Sequence, residues 1–336
     1  MNTLILLRHI GSLVALLCAA LVCAGQADTS TLPLTKVADV PLGGGTTRMD
    51  YASYDPDRHL LFIAHLGDSA VIAFDTQTQC VVARIPGISK VHGVLAIPEL
   101  GRVYALATGT NEVVAIDEES LKIVARVPAG VYPDGMAYAP DVHKLYVSDE
   151  HGATDTVIDV RTNRRVATIP LGGEVGNTQY DSVSGHIFAN VQTRGQLVEI
   201  DPATDKVVAR IDLPGAKGNH GLQIVPQQRL AFIVCEGNDK LLVLNMTNNH
   251  VVASFDVGGG PDVLAVDPQP GWVYIAGEAG IVSVFKAQNG GAIKIGEGVL
   301  GPNAHVVAID PISHRSYFPL KDLHGKTALR IMQVRT

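Results

Sequence analysis

The sequence has few charged and few aromatic residues, and the signatures of several common site types are missing from it. Of its 336 residues, 18% are charged and 5% are aromatic, while 46% are hydrophobic. This composition excludes a disordered chain, which would combine low hydrophobicity with high charge. There is no Gly-x-Ser-x-Gly elbow, no Cys-x-x-Cys-His haem motif and no spaced cysteine pattern for zinc.

Positive charge is scarce relative to negative charge. The chain has 26 Lys and Arg residues against 33 Asp and Glu residues, a net charge of −7 with neutral histidines. Proteins that bind nucleic acids do so largely through basic surfaces that neutralise phosphates. The balance predicts that a nucleic acid is not the partner of this protein.

One long apolar run, residues 10–24, lies close to the N-terminus. It is shorter than the roughly 20 residues that a membrane-spanning helix needs. The small residues at its end fit cleavage after Ala24 or Ala27. We therefore expect residues 1–27 to be a signal peptide. We expect residues 28–336 to form one mature domain without a membrane span, and the protein to be periplasmic or secreted.

An internal repeat dominates the rest of the chain. Seven of the 17 aromatic residues share one position in short β-rich runs: Phe62, Tyr104, Tyr146, Phe188, Phe232, Tyr274 and Tyr317. Successive members are 42, 42, 42, 44, 42 and 43 residues apart. A period of this length, with about four short strands in each repeat, is typical of a propeller blade. We therefore predict an all-β, seven-bladed β-propeller with four-stranded antiparallel blades.

Turn residues repeat in phase with the aromatic residues. A Pro or Ser ends the strand before each of them: Pro56, Pro98, Pro140, Ser182, Pro226, Pro268 and Pro311. A short polar residue closes a later strand and can bond to the turn that follows: Asp75, Asp117, Asp159, Asp201 and Asn245. In the next strand, Arg84, Arg126 and Arg210 are predicted to be solvated residues that protect the outer edge of a blade.

The two ends of the mature chain are predicted to meet in one blade. The last repeat, residues 304–334, offers only three strands, and the strand-like residues 36–42 belong to no repeat. We expect the N-terminal strand to supply the missing outer strand of the last blade and to close the ring.

The four cysteines offer little covalent chemistry. Cys18 and Cys23 lie in the predicted signal peptide, and Val22, where a small residue would be expected, argues against lipidation of Cys23. Cys80 and Cys235 fall in different repeats. Although export permits disulfides, we expect these two residues to be unpaired and mostly buried thiols.

The aromatic strands share a core that is best seen in Leu145-Tyr146-Val147-Ser148-Asp149, in Val103-Tyr104-Ala105-Leu106 and in Val273-Tyr274-Ile275-Ala276. Together with the Asp-x-x-Thr turns at Asp75 and Asp201, this core resembles the YVTN β-propeller repeat family, which includes the YncE-like periplasmic proteins. The resemblance covers roughly residues 35–334 and implies the propeller fold. It implies no shared catalytic motif. Some YncE-like members are linked to single-stranded DNA, which conflicts with the acidic balance of this chain.

In each repeat, the residue six positions before the Pro or Ser that ends the first strand is His or Asp, except for one Gly. These ring residues are Asp50, His92, Asp134, Gly176, His220, Asp262 and His305. Because the innermost strand of each blade begins near one face of the channel, we expect these residues to converge at the channel mouth. The loops after the second strands reach the same face. They add His65, Glu150, His151, Glu236, Glu278 and Lys321, and the fourth blade offers Asn177 and Gln192.

Three interpretations of this mouth remain open. Polar residues suit a wet channel, and short ones form turn bonds, as Asp134 and Asp262 would after their prolines. The residues could instead bind a small ligand or a divalent metal, with His92, His220 and His305 as metal ligands if the channel is narrow. The third interpretation is catalysis, with a histidine base and a carboxylate-bound metal that stabilises an enolate or oxyanion.

Two short segments bear on the catalytic interpretation. His220-Gly221-Leu222, followed by Cys235-Glu236-Gly237-Asn238, resembles the His-Gly-Ile and Thr-Glu segments of streptogramin lyases, which are also seven-bladed. The resemblance implies His305 or His220 as the base and Glu236 or Glu278 as the metal ligand. Sugar lactonases on related propellers are a further analogue on fold grounds alone.

The sequence therefore supports two classes of function. The first is a YncE-like periplasmic scaffold that binds a ligand or a protein through a mouth formed by Asp50, His92, Asp134, His220, Asp262, His305, Glu236 and Glu278. The alternative is a metal-assisted lyase or lactonase at the same mouth. The expected partner is a small molecule, a peptide or a protein, and we expect a monomer. A divalent metal is the one cofactor left open.

Overall fold

The computed structural model describes residues 31–335, and within them seven four-stranded antiparallel sheets form seven blades. The innermost strands of successive blades contact one another in order, and blade 7 contacts blade 1. The predicted seven-bladed propeller is confirmed. The predicted signal peptide and Cys23 lie outside the described residues, so the division at residue 27 stays a prediction. No helix in residues 31–335 is long and apolar enough to cross a membrane.

Each blade takes its strands in chain order from the channel outwards, except the last. Blade 1 consists of β2 (Ala52–Asp55), β3 (Leu60–His65), β4 (Ala70–Asp75) and β5 (Cys80–Pro86). Blade 2 consists of β6 (Val91–Ile97), β7 (Arg102–Ala107), β8 (Glu112–Asp117) and β9 (Lys122–Pro128). Blade 3 consists of β10 (Pro133–Ala139), β11 (Lys144–Asp149), β12 (Thr154–Asp159) and β13 (Arg164–Pro170). Blade 4 consists of β14 (Val175–Asp181), β15 (His186–Val191), β16 (Gln196–Asp201) and β17 (Lys206–Asp212).

The remaining blades follow the same pattern until the ring closes. Blade 5 consists of β18 (Asn219–Val225), β19 (Leu230–Cys235), β20 (Lys240–Asn245) and β21 (His250–Asp256). Blade 6 consists of β22 (Pro261–Asp267), β23 (Trp272–Gly277), β24 (Ile281–Gln288) and β25 (Gly291–Val299). Blade 7 consists of β26 (Ala308–Ile309), β27 (Arg315–Leu323), β28 (Lys326–Val334) and β1 (Leu34–Pro41). Short 3-10 turns connect some strands: Leu66–Asp68, Pro98–Leu100, Thr108–Thr110, Pro140–Val142, Gln192–Arg194 and Pro226–Gln228.

The repeated residues have the structural roles that their spacing predicts. All seven aromatic residues of the repeat lie on the second strand of a blade and are at most 3% exposed. Asp75 accepts hydrogen bonds at Oδ1 from the backbone N–H groups of Gln77 (2.8 Å) and Thr78 (3.0 Å). The aromatic side chains therefore pack between blades, while the short polar residues stabilise the turns that separate the strands.

The N-terminal strand closes the ring as predicted. Strand β1 pairs with β28 in antiparallel register from Leu34 opposite Val334 to Pro41 opposite Ala328. Arg330 adds a bidentate ion pair to Asp39, at 2.7 and 2.9 Å. Because β1 and β28, the first and last strands of the described residues, lie in one blade, the ring cannot open at this blade without breaking a four-stranded sheet.

The outer-strand arginines differ from the prediction. They are not merely solvated edge residues, because each donates a hydrogen bond to a backbone carbonyl of the link between the preceding blade and its own. Arg84 donates to Leu42, Arg126 to Gly87 at 2.8 Å, and Arg210 to Leu171 at 2.8 Å. Arg165, Lys294 and Arg330 make the corresponding bonds in other blades. These side chains therefore connect neighbouring blades, which their exposed position in the strand pattern did not reveal.

The two described cysteines are unpaired, but only one of them is buried. Cys235 is fully buried at the end of β19, while Cys80 begins the outer strand β5 and is exposed. The prediction of two mostly buried thiols is therefore wrong for Cys80. The first residue of an outer strand faces solvent because no further strand covers it.

Candidate functional site

The six ionisable ring residues converge at the channel mouth, where Asp and His alternate around a closed cycle. All six are at least 92% buried: Asp50, His92, Asp134, His220, Asp262 and His305. Five neighbouring pairs have a nitrogen–oxygen separation of 3.4–3.9 Å: Asp50–His92, Asp134–His220, His220–Asp262, Asp262–His305 and His305–Asp50. The donor atoms of the sixth pair, His92 and Asp134, lie within 4.8 Å. Every carboxylate thus lies between two imidazoles.

A glycine in blade 4 allows this cycle to close with six residues in a seven-bladed ring. A Cβ atom at Gly176 would lie 2.6 Å from the carbonyl oxygen and 2.8 Å from the Cα atom of His220. The inner strand of blade 5 therefore packs directly against Gly176. His220 can reach past blade 4 to Asp134, at 3.4 Å. The sequence identified the ring positions. It did not reveal that Gly176, which has no side chain, lets Asp134 and His220 become neighbours and so keeps Asp and His alternating around the cycle.

The backbone two residues before the ring position orients two of the three histidines, His92 and His305. Two residues earlier, five of the seven blades have a left-handed backbone: Lys90, Tyr132, Gly218, Gly260 and Asn303. In two of these blades, the carbonyl at that position accepts a hydrogen bond from Nδ1, from His92 to Lys90 at 2.9 Å and from His305 to Asn303 at 3.0 Å. This bond fixes the proton of a neutral imidazole on Nδ1 and directs Nε2 towards the carboxylate of Asp50.

Tyr51 closes the channel beneath the cycle, and the sequence analysis missed it. Its hydroxyl donates to Asp134 Oδ2 at 3.2 Å, accepts from Asn177 Nδ2 at 2.8 Å and lies 3.3 Å from His220 Nε2. Burial, together with the nearby carboxylates, raises the pKa of Tyr51 well above its ordinary value, so the hydroxyl keeps its proton. The sequence did contain a signal, because Tyr51 is the only aromatic residue at the position that follows the ring residue. The other six blades have Gly, Asn or Val there: Gly93, Gly135, Asn177, Gly221, Val263 and Val306.

Above Tyr51, the mouth is a polar cavity of about 610 Å³. Its lining includes five members of the cycle and three glutamates from second-strand loops: Glu150, Glu236 and Glu278. Arg48 is also missing from the predicted site, although it lies 3.4 Å from both Asp50 and Asp262 and pairs with Glu278. The glutamates and Arg48 give the cavity a rim of both charges with an excess of negative charge.

Burial and mutual attraction together set the protonation of the cycle. Burial lowers the pKa of His220, but the adjacent Asp134 and Asp262 outweigh this effect and raise the pKa to about 10. Burial raises the pKa of Asp134, and His220 brings it below its ordinary value. Burial also raises the pKa of Asp262, to about 7, against the opposing charges of His220 and His305. For His305, burial lowers the pKa, and Asp50 produces a net upward shift.

Three overlapping groups of residues in the described part of the chain, all buried except Glu236, could hold a metal ion. They are Asp50–His92–Asp134, Asp50–Asp262–His305 and His220–Glu236–Asp262, each with donor atoms within 4.8 Å of one another. The three histidines predicted as metal ligands thus lie in three different groups, each combined with carboxylates. Carboxylates are shared between groups because they alternate with the histidines.

The turn interpretation of Asp134 and Asp262 is wrong. Both residues are the second residue of an inner strand, β10 and β22, rather than part of a turn. The carboxylate of Asp134 contacts Tyr51 and His220, and that of Asp262 contacts Arg48 and His305. A preceding proline begins the strand here, because an inner strand lacks a ladder partner on its channel side.

The other predicted loop residues have different positions. Glu150 lines the mouth and accepts a hydrogen bond from Gln192 at 3.2 Å. His65 is buried outside the lining and contacts Thr47 at 2.9 Å. His151 is exposed and stacks on Tyr132, with ring centroids 4.3 Å apart. Lys321 is exposed and does not line the mouth.

Tyr132 is another lining residue that the sequence analysis missed. Its backbone has φ of +62°, which is rare and costly for an aromatic residue. Its hydroxyl lies 3.1 Å from His92 Nε2, and its ring lies between His92 and His151. The strained backbone therefore holds an aromatic ring over the mouth.

Two other cavities differ from the mouth in character. Below Tyr51, a chamber of about 290 Å³ is lined by uncharged residues, which include Val94, Leu95, Met136, Asn177, Leu222 and Gln223. On the outside of the ring, a groove of about 720 Å³ lies between the outer strands β17 and β21. Neither cavity brings together ionisable side chains as the mouth does.

Comparison with known proteins supports the fold alone. No family model and no curated protein matches the chain. Among solved structures, it is similar to hydrazine synthase from Kuenenia stuttgartiensis, with a TM-score of 0.73 and 15% identity over 92% of this chain and 98% of that chain. It is also similar to a chain of the mitotic checkpoint complex, with a TM-score of 0.75 and 13% identity over 100% of both chains. These likenesses show a seven-bladed β-propeller of WD40-like architecture.

Proposed function

We propose that this chain is an exported, YncE-like propeller that binds a small ligand in the cavity at its channel mouth. The proposal rests on the closed cycle of three carboxylates and three imidazoles, all at least 92% buried above Tyr51. Buried ionisable groups are costly, and apolar replacements of similar volume are often as stable or more stable. A propeller in which these positions were purely structural would gain little stability from six buried ionisable side chains. Their presence therefore favours a binding role.

The dimensions of the mouth favour a small molecule over a folded protein. Its volume of about 610 Å³ falls within the roughly 300–1,000 Å³ of typical ligand pockets. Tyr51 forms a floor, so the site is a cup rather than an open pore. The lining carries three glutamates but only two basic residues of permanent charge, Arg48 and Lys90. The excess of negative charge favours a polar ligand with a cationic group.

The remaining parts of the proposal rest on the sequence. Export is supported by the apolar segment 10–24 and the small residues after it, and the YncE-like assignment by the repeated Tyr-containing strands. The acidic balance favours a partner other than nucleic acid, and we propose a monomer in the periplasm or outside the cell.

One geometric observation favours an enzyme as the second candidate. His220, Glu236 and Asp262 bring their donor atoms within 4.8 Å, and the first two are the residues that resemble streptogramin lyases. A metal held there would supply Lewis-acid stabilisation of an enolate or oxyanion. This candidate is a metal-assisted lyase or lactonase that uses the same mouth.

A thermal-shift screen tests the binding proposal. The panel contains small cationic and zwitterionic compounds, neutral sugars, lactones and short peptides, each tested on the mature protein and on an Asp134→Asn/His220→Gln variant. The matched control, His250→Gln/Asp256→Asn, changes the same residue types on the outer strand β21. We expect compounds that raise the Tm of wild type and control but not of the mouth variant. No shifts, or equal shifts in all three proteins, would overturn the proposal, and turnover of a bound lactone would favour the enzyme.

A further inference from the structure

His305 differs from the other two histidines of the cycle in the state of its inward nitrogen. Its Nε2 atom is buried and has no hydrogen-bond partner among the described residues. By contrast, Nε2 of His92 bonds to the Tyr132 hydroxyl at 3.1 Å, and that of His220 lies 3.3 Å from the Tyr51 hydroxyl. Among the three histidines of the cycle, only His305 therefore has an inward ring nitrogen without a hydrogen-bond partner.

Asp50, whose Oδ1 lies 3.6 Å from His305 Nε2, also has an oxygen without a partner. Its Oδ2 atom is buried, lies 3.7 Å from His92 Nε2 and makes no hydrogen bond within residues 31–335. An unsatisfied buried polar atom is destabilising, and more so when the group is charged. The two residues with unpartnered atoms belong to one group whose donor atoms could share a bound ion.

The distances from His305 Nε2 to the surrounding carboxylates are closer to those between ligands of one metal ion than to those of hydrogen bonds. His305 Nε2 lies 3.6 Å from Asp50 Oδ1, 3.9 Å from Asp262 Oδ2 and 3.9 Å from Glu278 Oε1. These distances are too long for hydrogen bonds. Ligands about 2.1 Å from a tetrahedral ion are about 3.4 Å apart. A small contraction would bring Asp50, Asp262 and His305, whose donor atoms all lie within 4.8 Å of one another, to this spacing. Glu278 would join them by releasing Arg48.

We infer that Asp50, Asp262 and His305 bind one divalent transition-metal ion, with Glu278 as a fourth ligand. The inference deepens the proposed function, because the ion would give the cup a centre to which a polar ligand binds. The hydrogen bond from Nδ1 to Asn303 orients His305, as is common for metal-bound histidines. One imidazole among carboxylates suits zinc or manganese better than magnesium or calcium.

Arg48 is the competitor of this ion. Its guanidinium already contacts Asp50, Asp262 and Glu278, so in the metal-free protein it neutralises the same carboxylates. The side chain is 39% exposed and can move towards solvent when an ion enters. Removal of the guanidinium should therefore strengthen metal binding, whereas a purely structural role would predict only a loss of stability.

Isothermal titration of the untagged mature protein with zinc or manganese ions tests the inference. We expect one equivalent to bind, with an affinity reduced at least ~100-fold in His305→Ala and raised about tenfold in Arg48→Met. The matched control His250→Ala lies on the exposed outer strand β21 and should change the affinity less than about fivefold. Absence of binding, or an equal loss in His250→Ala and His305→Ala, would overturn the inference.

A second measurement remains decisive if a variant fails to fold. Anomalous diffraction at the zinc edge from wild-type crystals should give a peak about 2.0–2.1 Å from His305 Nε2. A peak elsewhere, or none, would overturn the site. If metal does not bind while compounds of the screen still do, only this inference fails. If metal binds and no compound does, the metal site stands and the ligand proposal fails.

Discussion

Asn177, in blade 4, donates a hydrogen bond of 2.8 Å across the channel to the hydroxyl of Tyr51, which precedes the inner strand of blade 1. The same hydroxyl donates to Asp134 of blade 3. One side chain thus connects three blades at the axis of the ring. It also separates the charged mouth from the uncharged chamber below, since it lines both cavities.

Replacing Tyr51 by Phe should destabilise the ring without changing its shape. The variant leaves the amide of Asn177 without its hydroxyl partner and removes one hydrogen bond from Asp134, which keeps its contact with His220, at a cost of about 1–3 kcal/mol in unfolding free energy. Urea unfolding measures this difference. The control Tyr138→Phe removes only a 3.4 Å contact to His143 on an exposed surface and should change stability by less than about 0.5 kcal/mol. Equal effects of the two variants would contradict the bridging role.

Replacing Gly221 by Ala should disturb the mouth through a backbone clash. An added Cβ would overlap the carbonyl oxygen of Asp262, and its next neighbour would be Val234 at 2.6 Å. We expect a loss of about 1–3 kcal/mol in unfolding free energy. Gly291→Ala is the matched control, because nothing lies within 4 Å of its Cβ position. A neutral Gly221→Ala variant would show that the inner strands are less closely packed than described.

The sequence predicted the fold because every blade needs the same residues at the same places. The spacing of Phe62, Tyr104 and the other aromatic residues reports packing between blades, and the spare strand at residues 36–42 required a partner in the last blade. The outer arginines were misjudged because their bonds reach a neighbouring blade. A pattern within one strand does not contain such contacts.

Buried Asp155 provides a pH-dependent test of stability. Burial, with the charge of Asp149 added, raises the pKa of Asp155 well above the ordinary 3.8. Because the unfolded chain ionises near pH 3.8 while the folded protein resists ionisation, wild-type stability is lost progressively as pH rises above that value. Asp155→Asn lacks this cost, so its unfolding free energy relative to wild type should increase between pH 4 and pH 8.

The pKa of Asp75 is shifted in the opposite direction, so an Asp75 variant is the control for Asp155→Asn. Backbone hydrogen bonds, with that of Thr78 largest, lower the pKa of Asp75. Its contribution to stability is therefore present above pH 3.8 and is lost as pH falls. Asp75→Asn should lose stability relative to wild type as pH rises from 3 to 6. Parallel pH profiles of the two variants would contradict both assignments.

Deletion of residues 28–42 should destabilise the whole ring, because β1 supplies the outer strand of blade 7. We expect a single unfolding transition at a lower Tm, or aggregation through the exposed edge of β28. Asp39→Asn, which only weakens the ion pair to Arg330, should cost about 1 kcal/mol. Calorimetry measures both changes. An unchanged Tm after the deletion would contradict ring closure by this strand.

The candidate site was predictable only in part. The ring positions repeat in the sequence, so their convergence could be expected from the fold. Tyr51 breaks the pattern of Gly, Asn or Val at its repeat position, but its role, like that of Arg48, depends on contacts across the channel with blades that are distant in sequence. The alternation of Asp and His also depends on Gly176, whose missing side chain has meaning only in three dimensions.

The proposed ligand site is the charged mouth, rather than the lower chamber or the outer groove. Crystals of the mature protein soaked with a library of small polar fragments test this directly. We expect bound fragments to cluster against Arg48, Tyr132 and the glutamates of the mouth. Fragments found only below Tyr51, or only between β17 and β21, would contradict it.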